Sequence, residues 1–91
     1  MDEGSQFLVS ALEHLMRLPL GSKSERDAWY IESKRVQRTL SEWFPDLDFP
    51  HEIWHFLADA DIRAREDGYR KYQEQIVTEY ISKARGEHHT A

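Results

Sequence analysis

Apolar residues recur at three- and four-residue intervals through most of this chain, and the phase of those intervals divides it into helices. Between Ser5 and Leu18, the residues Phe7, Leu8, Ala11, Leu12, Leu15 and Leu18 share one broad face. Gln6, Ser10, Glu13 and Arg17 are left as a narrow polar edge, so the spacing predicts a mostly buried helix over 5–18. Pro19 and Gly21 end it. Ser22 followed by Glu25 spells a capping box, in which each side chain takes up an amide of the next helix start. A second helix over 24–43 aligns Trp29, Val36, Leu40 and Trp43, with Lys34, Arg38 and Ser41 opposite, and Pro45 stops it. The segment from Phe44 to Pro50 reads as a tight connection anchored by aromatic residues, with Asp48 or Phe49 as the next N-cap.

Phase also decides whether His51 to Arg85 is one helix or two. At ~100° per residue, Ile53, Leu57, Ala60 and Ala64 form one stripe. Tyr69, Tyr72, Ile76, Tyr80 and Ala84 form another, rotated by roughly 160° if the helix continues. One straight helix cannot send both stripes into one core. The expected break is at Asp67-Gly68, with Gly68 in the left-handed conformation that ends helices. Helices over 50–66 and 69–85 result. No sustained two-residue alternation marks a strand. The expected fold is all-α, a compact four-helix bundle or orthogonal helical array forming a single domain over 1–91.

Composition narrows the class. With 91 residues the chain supports one core, for which 3 Trp, 4 Phe and 4 Tyr supply bulk. It has no cysteine, so disulfides, thiolate nucleophiles and cysteine-ligated zinc are excluded. No apolar run approaches the ~18 residues that span a bilayer. Met1-Asp2-Glu3 lacks the basic region of a secretory signal, and a cytoplasmic protein is the expectation. The net charge of -5 disfavours a protein that tracks nucleic-acid phosphates.

One stretch carries candidate chemistry. His51-Glu52-Ile53-Trp54-His55 spells H-E-x-x-H, and on a helix residues i and i+4 share a face from which two imidazoles can reach one metal ion. The stretch resembles the motif of zinc metallopeptidases. That resemblance implies zinc held by His51 and His55, with Glu52 as general base on a metal-bound water. It covers these five residues only. In that family the motif sits in a buried helix beside a sheet edge, with a third ligand downstream. Here it opens a helix just after Pro50, in a chain without strand signals, and Glu74 and Glu79 point away from the apolar stripe. Adventitious Zn²⁺, Ni²⁺ or Cu²⁺ binding at His51, His55 and Asp59 is the simpler use of the i, i+4, i+8 spacing. A di-iron bundle needs two Glu-x-x-His pairs, and only Glu52 and His55 supply one. His14 is the remaining candidate for a three-histidine site.

The other features favour packing and association over catalysis. Trp29, Trp43 and Trp54 read as core, and Tyr69, Tyr72 and Tyr80 as rings packed with their hydroxyls at the rim. Tyr30, Ile31 and Ile62 fall off the main stripes and, with the acidic neighbours Asp59 and Glu66, form the expected partner or dimer surface. Basic residues cluster at Lys23, Arg26, Lys34, Arg35 and Arg38, and acidic ones between Asp46 and Asp67. The leading expectation is a small non-enzymatic helical module that works through protein contacts or self-association. The alternatives are a zinc hydrolase using His51, Glu52 and His55, and an acidic inhibitor or immunity-type protein that binds a basic partner.

Overall fold

Five helices make up the computed structural model, which describes residues 1–86: α1 (Glu3–Arg17), α2 (Lys23–Trp43), α3 (His51–Ala58), α4 (Ala60–Arg65) and α5 (Asp67–Ala84). Among the described residues there is no strand. The fold is an all-α helical array in which α1 packs on α2 and α5. Helix α2 also meets α3 and α4, and α5 meets α3 and α4.

The first half follows the sequence closely. Asp2 caps α1 by accepting from the Ser5 amide at 2.7 Å, so the helix begins slightly earlier than expected. The capping box is present. The Glu25 amide donates to Ser22 Oγ at 3.2 Å, and the Ser22 amide donates to Glu25 Oε1 at 3.0 Å. Leu8, Val9, Leu12 and Leu15 of α1 are buried against Trp29, Val36 and Leu40 of α2 and Ile53, Phe56 and Leu57 of α3, joined by Val77 and Ile81 of α5. Each such side chain contributes on the order of 1.5–3 kcal/mol through burial. The connection after α2 folds onto α1, where Phe44 stacks on Phe7 with ring centroids 5.8 Å apart. It lies so close to Gly4 that an added Cβ would come within 3.1 Å of the Phe44 ring. The next N-cap is Pro50, rather than Asp48 or Phe49, and no side chain caps it.

The second half breaks differently from the expectation. The expected helix over 50–66 is two helices, split at Asp59 (φ -113°, ψ 29°). The next break falls at Glu66, whose backbone is extended (φ -122°, ψ 107°). Gly68 lies inside α5, and among the described residues Gly86 alone has a positive φ. The phase conflict was real, but the chain resolves it at Asp59 and Glu66.

Side chains stabilise the break at Asp59. The last carbonyls of α3 have no helical amide to accept from, and three neighbours supply donors instead. Arg63 Nη1 donates to the Phe56 carbonyl at 2.7 Å, and Ser33 Oγ to the Leu57 carbonyl at 2.7 Å. The Tyr30 hydroxyl lies 3.1 Å from the Ala58 carbonyl and 2.6 Å from Asp61 Oδ1, and it accepts from the Asp61 amide at 3.1 Å. At the start of α4, the Asp59 carbonyl accepts from the Ile62 and Arg63 amides. The end of α1 is finished in the same manner, with Trp29 Nε1 donating to the Leu15 carbonyl at 2.9 Å.

The inward face of α5 also differs from the expected one. Gln73, Val77 and Ile81 are buried, whereas Tyr72 is 53% exposed. The core stripe is therefore rotated by roughly 80° from the tyrosine-rich face. Ala64, expected in the core, is exposed. Burial of Gln73 follows from its partner, since Arg63 Nη1 donates to Gln73 Oε1 at 2.6 Å. This bond joins the two buried side chains across α4 and α5, and Gln73 Nε2 is taken up by the Tyr69 hydroxyl.

Candidate functional site

Helix α3 carries the H-E-x-x-H residues, and its inward positions are Ile53, Phe56 and Leu57. His51, Glu52 and His55 accordingly face out. The imidazoles of His51 and His55 meet edge to face, with centroids 4.8 Å apart. Together with Tyr69, Tyr72, Gln73 and Ile76 of α5 they line an open cleft of about 290 Å³.

Asp59, the expected third member of the histidine row, is committed elsewhere. Its Oδ2 accepts from the Tyr69 hydroxyl at 2.7 Å and lies 3.9 Å from His55 Nδ1. Gln73 Nε2 donates to the Tyr69 oxygen at 2.9 Å, which orients the phenol. The hydrogen bond to Asp59, aided by desolvation, raises the Tyr69 pKa above its ordinary 10.0. His14 is exposed on α1. Among the described residues no group of three His, Cys, Asp or Glu side chains is placed to hold a metal ion.

The residues expected to form an interface are distributed unevenly. Ile31 is 62% exposed, Glu66 is exposed at the break before α5, and Ile62 is half-buried. Tyr30 faces α4, where burial and its hydrogen bond to Asp61 raise its pKa above 10.0. In return, that bond lowers the Asp61 pKa below 3.8.

A second apolar surface was not anticipated. Trp43 and Trp54, both expected in the core, are 73% and 38% exposed. Trp43 keeps the phase of the α2 core stripe but is the last residue of the helix, at the end where the chain turns away. Trp54 packs against Phe49 with centroids 5.3 Å apart. Leu40, Phe44, Pro45, Leu47, Phe49 and Trp54 line a groove of about 380 Å³, to which Ser41 and Asp48 add polar groups. The density of aromatic residues between Trp43 and Trp54 was the available signal, but helical phase alone assigned both tryptophans inward.

No helix among the described residues is long and apolar enough to cross a membrane. Compared with models of known protein families, with curated proteins and with solved structures, the chain matches none.

Proposed function

We propose that this chain is a small non-enzymatic helical module whose contact surface centres on the aromatic groove between α2 and α3. The observation that carries this reading is the exposure of Trp43, at 73%. Tryptophan is among the residues that contribute most at protein interfaces, and a large indole left in water finds its best burial against another molecule. The groove, which Trp43 itself does not line but its sequence neighbour Phe44 does, offers a place for an apolar side chain of the partner. Glu42, Asp46, Asp48 and Glu52 are exposed close by in sequence, so the partner chemistry that complements this surface is an apolar anchor flanked by lysine or arginine.

The test uses short peptides with a central leucine or tryptophan flanked either by lysines or by glutamates. Binding is followed by NMR shifts of the Trp54 and Trp43 indoles. Lysine-flanked peptides are expected to bind, to weaken as salt is raised, and to lose affinity for Trp43→Ala without loss of thermal stability. A concentration-dependent mass in solution that disappears in Trp43→Ala would identify the partner as a second copy of the chain. If the mass is constant and neither peptide series perturbs the indoles, the proposal fails.

A further inference from the structure

Among the described residues the two most exposed large apolar side chains are Trp43, at 73%, and Ile31, at 62%. Both lie on α2, about 18 Å apart along its axis. Their electrostatic settings are opposite. Lys34, Arg35 and Arg38 follow Ile31 at i+3, i+4 and i+7 and so share its face. The acidic residues beside Ile31 are already matched, Asp27 by Lys23 at 2.9 Å and Glu32 by Arg35 at 3.3 Å. Lys34 and Arg38 are exposed and take part in no ion pair among the described residues, so the Ile31 patch keeps uncompensated positive charge.

The aromatic groove shows the converse. Glu42, Asp46, Asp48 and Glu52 are exposed around it in sequence, and none of them is ion-paired among the described residues. Asp48 lines the groove itself. One chain thus carries both an apolar groove with unmatched carboxylates and an apolar side chain with unmatched cations.

We propose that the occupant of the aromatic groove is a second copy of this chain, which inserts Ile31 while its Lys34 and Arg38 meet Asp46 and Asp48. The proposal rests on the reading of the groove as the contact surface and adds the partner to it. At about 380 Å³ the groove has room for an isoleucine side chain. Closing the contact breaks no ion pair in either copy, because the charges that meet are unmatched in each. Complementary charge speeds the encounter and sets its register. The two patches differ, so the contact is heterologous and joins copies head to tail.

Sedimentation of the full chain over a concentration series tests the contact. A mass that rises with concentration and falls as salt is raised is expected. Ile31→Ser alters an exposed residue, should keep the melting temperature, and should weaken association about ten-fold or more. Its groove is intact, so it should still bind the lysine-flanked leucine peptide. Charge exchange then fixes the pairing. Lys34→Glu with Arg38→Glu, and Asp46→Lys with Asp48→Lys, should each remove self-association, and an equal mixture of the two variants should restore it. Each double exchange leaves the chain net negative, starting from -5, so recovery in the mixture reports the patches and not bulk attraction. A constant monomer mass over the series overturns the inference; if the lysine-flanked peptide still binds, the groove reading stands and its occupant is a different protein. Association left unchanged by Ile31→Ser, or a mixture that does not recover, also overturns it.

Discussion

Ser33→Ala isolates the physics of the break at Asp59 with the smallest possible change. The Ser33 side chain is fully buried, its Oγ donating to the Leu57 carbonyl at 2.7 Å and accepting from Gln37 Nε2 at 3.2 Å. Removing the hydroxyl leaves the Leu57 carbonyl at a helix end, where the break has already taken its i+4 amide away. An unsatisfied buried acceptor costs about 1–3 kcal/mol. Alanine recovers roughly 0.5 kcal/mol of helix propensity in α2, and Gln37 is half-buried and able to turn to water. The expected net loss is therefore about 1–2 kcal/mol. With a urea slope near ~1 kcal/mol/M for a small domain, the midpoint should fall by about 1–2 M. Urea titration followed by far-ultraviolet circular dichroism measures this directly. An unchanged midpoint would mean that the Leu57 carbonyl does not depend on Ser33, and the account of how α3 ends would be refuted.

Three further outcomes are expected. Gly68→Ala should stabilise by about 0.4–1 kcal/mol, because Gly68 sits in α5 without positive φ and an added Cβ meets nothing within 4 Å; a lowered melting temperature would contradict this backbone. His51→Ala and His55→Ala should each change stability by less than about 0.5 kcal/mol, since both side chains are exposed. Stoichiometric zinc that survives dialysis and is lost in both variants would instead favour the hydrolase. Tyr30 has a folded pKa above the 10.0 of the unfolded chain, so its contribution is complete below that pH and is lost as pH rises through the folded value. Urea midpoints measured across this alkaline range should fall less steeply in Tyr30→Phe, and equal slopes would show that the hydroxyl is not responsible.

The all-α class, α1, α2 and the capping box were legible because each rests on local rules: periodicity, a Pro-Gly stop and a Ser-x-x-Glu start. The break at Asp59 was legible only in part. Asp59 and Asp61 are residues that favour helix starts over helix interiors, but without knowledge of Arg63, Ser33 and Tyr30 nothing indicated that the abandoned carbonyls would find donors. Helical phase misplaced α5 because it treats glutamine as outward and tyrosine as inward. Gln73 is buried through a partner ten residues away, a pairing that periodicity does not contain. Trp43 was misplaced for the opposite reason. Its phase was correct, but burial requires a neighbouring element, and among the described residues none covers the last residue of α2.

A single hydrogen-bonded chain links the buried arginine to the histidine cleft. Arg63 Nη1 donates to Gln73 Oε1, Gln73 Nε2 donates to the Tyr69 hydroxyl, and that hydroxyl donates to Asp59 Oδ2. Each step fixes the next: the acceptor end of the Gln73 amide must face the cation, which turns its donor end to the phenol and sends the phenolic proton to the carboxylate. Asp59 is thereby held as the acceptor of Tyr69 at the point where α3 gives way to α4. A metal ion drawing on Asp59 together with His51 and His55 would have to use Oδ1 or displace the Tyr69 hydroxyl from Oδ2. Trp43 and Trp54, by contrast, can bury further against a partner without displacing any hydrogen bond of this network. Under the proposed function, that difference is the reason to test the tryptophan surface before the five-residue motif.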